Sequence, residues 1–399
     1  MPTSSTIAPS ASSKIKPMEF LALLRFVATA LIVGTLAACS TPPPSTLPKG
    51  LPPLAAQLPP PLPGTATPGT LNQPGSRWVP VAWDELPGFS DDALHEAWNA
   101  WVRSCERPPP AFARLCPEVR RLSIGTPEAQ RTWMLAYLQP YRVEAASGSV
   151  DGLLTGYYEP QIDAARLPGN GYNVPLYRTP ASLGARKPWY SRQQIETLPE
   201  VQSQLAGRAI AWIADPVEAM VLHIQGSGRL RITEPDGSVR LVRVAFAGTN
   251  DQPYKSIGRW LLDQNLVRDA TWPGIRSWIA QNPQRVSELL WSNPRYVFFR
   301  EEPLEGLDAS FGPKGAQGVA LTPGRSIAVD KKSIPYGTPV WMASSGPAGQ
   351  IQRLVLAQDT GSAIIGAVRA DYFTGWGAEA GDVAGRLKQS LRLWALWPR

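Results

Sequence analysis

Two acids set the chemistry this chain can do. Asp359 stands in Gln358-Asp359-Thr360-Gly361-Ser362-Ala363-Ile364, and Asp371 in Arg369-Ala370-Asp371-Tyr372-Phe373-Thr374-Gly375-Trp376-Gly377. Among glycines and aromatics a carboxyl group can be buried, and burial disfavours its charged form. A carboxylic acid that keeps its proton near neutral pH can serve as a general acid. Glycines let a backbone come close to a ligand, and Tyr372, Phe373 and Trp376 offer flat apolar faces suited to sugar rings. The plainer reading of the same run is a strand, a glycine-rich turn and a second strand carrying solvated acids.

The elements that must position these acids are mostly strands. Gly152-Leu153-Leu154-Thr155-Gly156-Tyr157-Tyr158-Glu159-Pro160 reads as a strand bounded by Gly and Pro. Val221-Leu222-His223-Ile224-Gln225 alternates, which predicts a strand with His223 and Gln225 on one face. Arg229 to Thr233 and Ser238 to Val244 alternate too, and Glu234-Pro235-Asp236-Gly237 between them signals a hairpin. Short strands are expected again at Ser326 to Asp330, Thr338 to Met342 and Arg353 to Gln358. Many short strands between Gly and Pro turns argue for small β-barrels rather than a doubly wound sheet.

Helices flank them. One is expected to be capped by Ser90 and to begin at Asp91-Asp92, with Leu94, Ala97, Trp98, Trp101 and Val102 on one face. A second follows Thr126-Pro127-Glu128, carries Trp133, Met134, Tyr137 and Leu138 inward, and ends near Pro140. Two more are expected from Ser256 through Leu262 and around Val286 to Leu290.

The N-terminal end says where such chemistry would take place. Lys14, Lys16 and Arg25 precede an apolar run from Phe26 to Ala38, which ends in Leu36-Ala37-Ala38-Cys39-Ser40. A basic segment, a short apolar core and small residues before a cut site describe a secretory signal, here residues 1–38. The run is too short to span a bilayer. Cys39 after Leu-Ala-Ala resembles a bacterial lipobox, which implies a lipidated first residue of the mature chain, held to a membrane without a spanning helix. Ser40 looks like the sorting signal for the outer membrane, facing the periplasm. Residues 39–76 are rich in Pro and nearly uncharged, and read as an extended tether.

Cys105 and Cys116 close a short Pro-rich loop, and in an oxidising compartment that is most simply a disulfide. A catalytic thiol finds no partner, since the nearby His95 reads as a helix-surface residue. Two Cys and two widely separated His give no zinc spacing, so no metal or other cofactor is expected. The net charge of +7 invites nucleic acid, yet the chain is secreted and its Lys and Arg are scattered. A basic surface of that kind suits an anionic polymer outside the cytoplasm, such as cell wall or lipid headgroups. Most of the 15 Trp are expected in cores, some along a carbohydrate groove.

Several strings in order resemble the membrane-bound lytic transglycosylase A family of peptidoglycan-cleaving enzymes. They are Thr155-Gly156-Tyr157-Tyr158-Glu159-Pro160, Pro175-Leu176-Tyr177-Arg178, His223-Ile224-Gln225-Gly226-Ser227-Gly228, Ala247-Gly248-Thr249-Asn250 and Tyr254-Lys255-Ser256-Ile257-Gly258. Asn293-Pro294-Arg295-Tyr296-Val297-Phe298-Phe299, Gly324-Arg325-Ser326-Ile327-Ala328-Val329-Asp330 and the two Asp-bearing runs follow. The resemblance covers the chain from about Trp83 to the end. It implies a mainly β fold with flanking helices: a double-psi β-barrel catalytic domain from residues 77–164 and 301–399, with a second β-barrel domain, 165–300, inserted in it. It also implies that Asp371 is the catalytic acid/base, supported by Asp359, Asp330, Thr360 and Gly361. Candidate substrate-binding residues are Tyr158, Glu159, Gln225, Ser227, Tyr372 and Trp376. His223 is read as structural. Where relatives have Gly-Gly, this chain has Gly361-Ser362.

What the resemblance implies chemically is a lytic exotransglycosylase, a carbon–oxygen lyase acting in cell-wall remodelling and turnover. It would cleave the β-1,4 bond between N-acetylmuramic acid and N-acetylglucosamine and leave 1,6-anhydromuramyl ends. Ordinary glycoside hydrolysis takes two carboxylates. Here the muramyl C6 hydroxyl attacks its own C1, so a tethered nucleophile replaces the second carboxylate. Two rival readings stay open: a water-using hydrolase in which Asp359 and Asp371 share the work, and a non-catalytic wall-binding lipoprotein. The residues do not choose between internal and end-wise cleavage, nor name any protein partner.

Overall fold

The computed structural model describes residues 68–399. The signal segment 1–38, Cys39 and the tether as far as residue 67 lie outside the described residues. The end of the expected tether is a hairpin: β1 (Leu71–Gln73) pairs antiparallel with β2 (Ser76–Pro80). Trp78, fully buried, anchors it, and the Gly75 N–H donates to the Lys332 carbonyl at 2.8 Å. Sheet structure therefore begins several residues ahead of residue 77, where the tether had been expected to end.

The chain continues through β3 (Leu138–Glu144) and β4 (Gly152–Glu159). It then builds a second sheet from β5 (Gln161–Ala165), β6 (Val174–Tyr177), β7 (Ala209–Ile213), β8 (Ser227–Thr233), β9 (Val239–Thr249) and β10 (Val297–Pro303). It returns to the first sheet with β11 (Ser326–Val329), β12 (Pro339–Gly346), β13 (Gly349–Asp359), β14 (Arg369–Trp376) and β15 (Lys388–Pro398). The fold is mainly β with flanking helices.

The first sheet runs β1-β2-β3-β15-β12-β13-β11-β14-β4, and β4 pairs again with β15, which closes a ring. Period-two alternation fills that ring with Leu154, Ile327, Val329, Val340, Met342, Val355, Ala370 and Leu393, all fully buried. The pairs β11–β13 and β14–β4 are parallel. The second sheet runs β10-β9-β8-β5-β7-β6 around Ile162, Leu176, Leu230, Ile232 and Val244. Its end strands β6 and β10 touch, so it nearly closes as well.

Three local expectations need correction. Val221 to Gln225 is the end of a helix, Pro216–Gln225. The Asp215 carboxylate accepts from the Val217 N–H, Pro216 starts the first turn, and Gly226 at φ 80° ends it. Val217, Met220, Val221 and Leu222 are all buried, so a covered helix mimicked alternation over five residues. The first helix is Leu94–Ser104, without a cap from Ser90. Asp92 is drawn off instead, accepting from Arg325 Nη1 at 2.8 Å and from the Leu354 N–H at 2.9 Å. The second helix, Pro127–Tyr137, does begin at Thr126 but stops before Pro140, because Leu138 opens β3.

These two helices make a tryptophan-rich layer. The rings of Trp98, Trp101 and Trp133 lie 5.1 to 5.9 Å apart, and a disulfide joins Cys105 to Cys116. The layer matters to the site through Gln358. That buried side chain donates to the Ala100 carbonyl and to Ser104 Oγ, both at 2.9 Å, and so fixes the end of β13 beside Asp359. Among the described residues no helix is long and apolar enough to cross a membrane.

Candidate active site

The strand register brings the two acids together. β11 lies between β13 and β14, and Ala328 is the partner of Asp359 on one side and of Asp371 on the other. Two ladder spacings put their Cα atoms about 10 Å apart. A slip in register between Ile327 and Ala328 turns the end of β13 so that Asp359 joins Asp371 on the wall of one cavity.

The acids are held differently. Asp371 Oδ1 accepts a 2.5 Å hydrogen bond from Thr155 Oγ1, and Thr155 Oγ1 accepts from Arg369 Nη2 at 2.8 Å. The guanidinium occupies one lone pair of the threonine oxygen, and the hydroxyl's own proton points to Asp371. Oδ2 of Asp371 has no protein donor among the described residues. Asp359 has both oxygens engaged: Tyr157 Oη donates to Oδ2 and the Ala316 N–H to Oδ1, each at 2.9 Å. Gly315 permits the second contact, since a Cβ there would stand 2.5 Å from the Gln358 carbonyl oxygen. The Tyr157 ring rests on buried Phe373, 5.3 Å between centroids.

Burial pushes the Asp371 pKa above its ordinary value, against the Thr155 hydrogen bond and the Arg369 charge. It pushes Asp359 up to about 6, against hydrogen bonds from Thr360, Ala316 and Tyr157. Both acids are thus biased toward the protonated form that a general acid needs. Linkage follows for stability. The folded state binds the Asp359 proton more tightly than the unfolded chain does. The associated stability is full below about pH 4 and lost as pH rises through about 6. In denaturant titrations at pH 4 and pH 7, wild type should lose on the order of 1–3 kcal/mol across that window, and Asp359→Asn should lose less. Identical losses in the two proteins would refute the assignment.

The cavity encloses about 730 Å³ between the two sheets. Gln225 and Ser227 line it from the second sheet's side, and Asp359, Thr360, Gly361 and Asp371 from the first's. Gln225 is also structural, its Oε1 accepting from the Tyr158 N–H at 3.0 Å, and Thr360 Oγ1 donates to the Val329 carbonyl.

Other expected site residues stand elsewhere. Asp330 is a loop residue, accepting from the Lys332 and Gly366 N–H groups. Tyr372 is buried behind Asp371, its Oη donating to the Gly324 carbonyl, because adjacent strand residues face opposite ways. Trp376 is covered by the Arg229 guanidinium, 3.9 Å above its ring. Tyr158 lines a separate cavity of about 250 Å³. Glu159 is fully buried between Arg229 and Arg243. No tryptophan lines the main cavity, whose aromatics are Tyr157, His223, Phe246 and Tyr254. His223 is buried, with Nδ1 2.7 Å from Arg192 Nη2, and burial holds it neutral. Thr155, Tyr157, Arg369 and Ala316 were not singled out as site residues from sequence. Among the described residues no cluster of His, Cys, Asp and Glu is placed to hold a metal ion.

A ring-closed β-barrel carrying recessed acids beside a second, inserted sheet defines a class that known proteins share. Residues 153–300 match the MltA specific insert domain, and residues 325–397 match the 3D domain. Membrane-bound lytic murein transglycosylase A of Vibrio cholerae is 30% identical over 67% of this chain and 74% of its own length. Among solved structures, the lytic transglycosylase LtgG of Burkholderia pseudomallei shares 44% identity, covering 81% of this chain and 95% of that one, with a TM-score of 0.57. Escherichia coli MltA with bound chitohexaose shares 25% identity over 82% and 93% of the two chains, with a TM-score of 0.63. The chain belongs to the membrane-bound lytic murein transglycosylase A family.

Proposed function

We propose that this protein is a peptidoglycan lytic transglycosylase in which Asp371 alone shuttles the proton. The observation that carries this reading is the unequal occupancy of the two acids. Asp359 has both oxygens engaged by protein donors, whereas Asp371 keeps Oδ2 free on the cavity wall. Protonated Asp371 gives its proton to the oxygen linking N-acetylmuramic acid to N-acetylglucosamine, and that bond breaks. The resulting carboxylate takes the proton of the muramyl C6 hydroxyl as its oxygen bonds C1, which closes the 1,6-anhydro ring. The acid ends protonated, as it began, and no water enters.

Asp359 acts through its surroundings, as a buried carboxyl that shapes the pocket beside Asp371. Gln225 and Ser227 offer polar contacts to the sugar. Bound chitohexaose in the Escherichia coli relative fits a glycan in this cavity. The test is mass spectrometry of the fragments released from purified sacculi. Products lighter by one water than the hydrolytic ones support the reading; reducing ends refute it.

The family is named membrane-bound, and for this chain we place the anchor at Cys39, acylated after removal of residues 1–38, on the periplasmic face of the outer membrane. Cys39→Ala should abolish labelling by a palmitate analogue and leave an unprocessed or mislocalised precursor. Persisting label would overturn it. A truncated chain for solution work should start at Gly69, because a start at Gly75 would remove β1 from β2.

A further inference from the structure

Five cations line the main cavity: Arg107, Arg295, Arg300, Lys314 and Arg369. Two are already employed. Arg369 holds Thr155, and Arg300 pairs with Glu302 at 2.7 Å. Arg107, Arg295 and Lys314 have no carboxylate within ion-pairing distance among the described residues.

Arg295 is the telling one. It is half-buried, and burial pushes its pKa down, only partly offset by the charge of Asp251, which stands beyond ion-pairing distance. Its backbone is fixed on both sides: the N–H donates to Asn293 Oδ1 at 3.2 Å, and the carbonyl accepts from buried Arg192 at 2.9 Å. A guanidinium on a cavity wall, carried on a fixed backbone, without an ion-pair partner and partly dehydrated, suits a carboxylate, which it can grip with two parallel hydrogen bonds. Lys314 and Arg107 add exposed positive charge from the first sheet's side of the same cavity.

We propose that Arg295, with Lys314 and Arg107, binds a carboxylate carried on the muramyl side of the glycan strand, so that this enzyme selects substrate by the acid its sugar bears. The inference rests on the transglycosylase reading and deepens it. Two sources share that chemistry: the stem peptide, and the lactyl carboxylate exposed when the peptide is removed.

The test compares wild type, Arg295→Gln and Arg295→Lys on three substrates: peptide-bearing strands, the same strands with their carboxylates amidated, and peptide-free strands. A charged hydrogen-bonded contact predicts that Arg295→Gln lowers kcat/KM on the strands that carry the bound carboxylate about tenfold more than on amidated ones, mostly through KM. Arg295→Lys should recover part of the difference. Selective loss on peptide-bearing strands assigns the contact to the stem peptide; selective loss confined to peptide-free strands, where the lactyl carboxylate is exposed, assigns it to that group. Equal loss on all three substrates overturns the proposal. Calorimetric binding of soluble muropeptides, amidated and not, gives the same comparison without turnover. If wild type discriminates in binding yet releases no anhydro product, the reaction reading fails and this one stands.

Discussion

Asp371→Asn should leave the fold intact and lower turnover on sacculi by at least about a thousandfold. General acid–base catalysis by one group is worth about 10²–10⁴-fold, and here the same group both gives and takes the proton. Asn fills the same volume and can still accept from Thr155 Oγ1, so Thr155, Arg369 and the β14–β4 pairing keep their places. What disappears is the titratable oxygen on the cavity wall. Retention of more than about a tenth of wild-type turnover would remove Asp371 from this role.

Asp359→Asn is the sharper comparison. Its carboxyl already accepts from Tyr157 and Ala316, so the new amide must turn its NH₂ toward one of those donors. Its oxygen can keep the Ala316 N–H while its NH₂ donates to Tyr157 Oη, so activity should fall by a smaller factor, through the reversed Tyr157 bond and the lost carboxyl, with anhydro products still formed. Losses of equal size at both acids, with reducing ends in what remains, would mean the two carboxylates share a hydrolysis.

Much of this was legible before any coordinates, and what was missed follows a pattern. Most of the strands named from alternation are present, because a barrel wall buries one face of each strand and period two survives in the sequence. The acids were visible because Asp between glycines and aromatics is chemically conspicuous. Their positioning groups mostly were not. Thr155 and Tyr157 meet the acids only through the β14–β4 pairing and the closeness of β13, and no local pattern states which strands pair, whereas Arg369, two residues before Asp371 on β14, shares its face by period two. Tyr372 was excludable from sequence, since it neighbours Asp371 in a strand and must face away from it. The helix Pro216–Gln225 went unrecognised because it is covered nearly all round. Asp215-Pro216 and Gly226 were its only signals, and they sit outside the alternating five residues.

Glu159 decides between a substrate contact and a structural joint, and Glu159→Ala should show the latter by a loss of about 3–5 kcal/mol in stability. The residue ends β4 as the chain passes from the first sheet to the second, and it is fully buried. Its carboxylate takes Arg229 Nε at 2.8 Å and Arg243 Nε at 2.5 Å. Those arginines stand on β8 and β9 and reach on to the carbonyls of Ala309 and Phe311, in the segment that leads back to the first sheet. Removing the carboxylate leaves two dehydrated guanidinium groups facing each other without an anion, which costs more than the pair itself contributes. Thermal unfolding should shift down by at least about 5 °C, and Glu159→Gln, which keeps a neutral acceptor, should fall between. A purely substrate-binding glutamate would instead raise KM and leave unfolding unchanged. Because the cavity lies between the two sheets this joint connects, activity should drop together with stability and recover on cooling. Unchanged unfolding in Glu159→Ala would return the residue to the substrate groove.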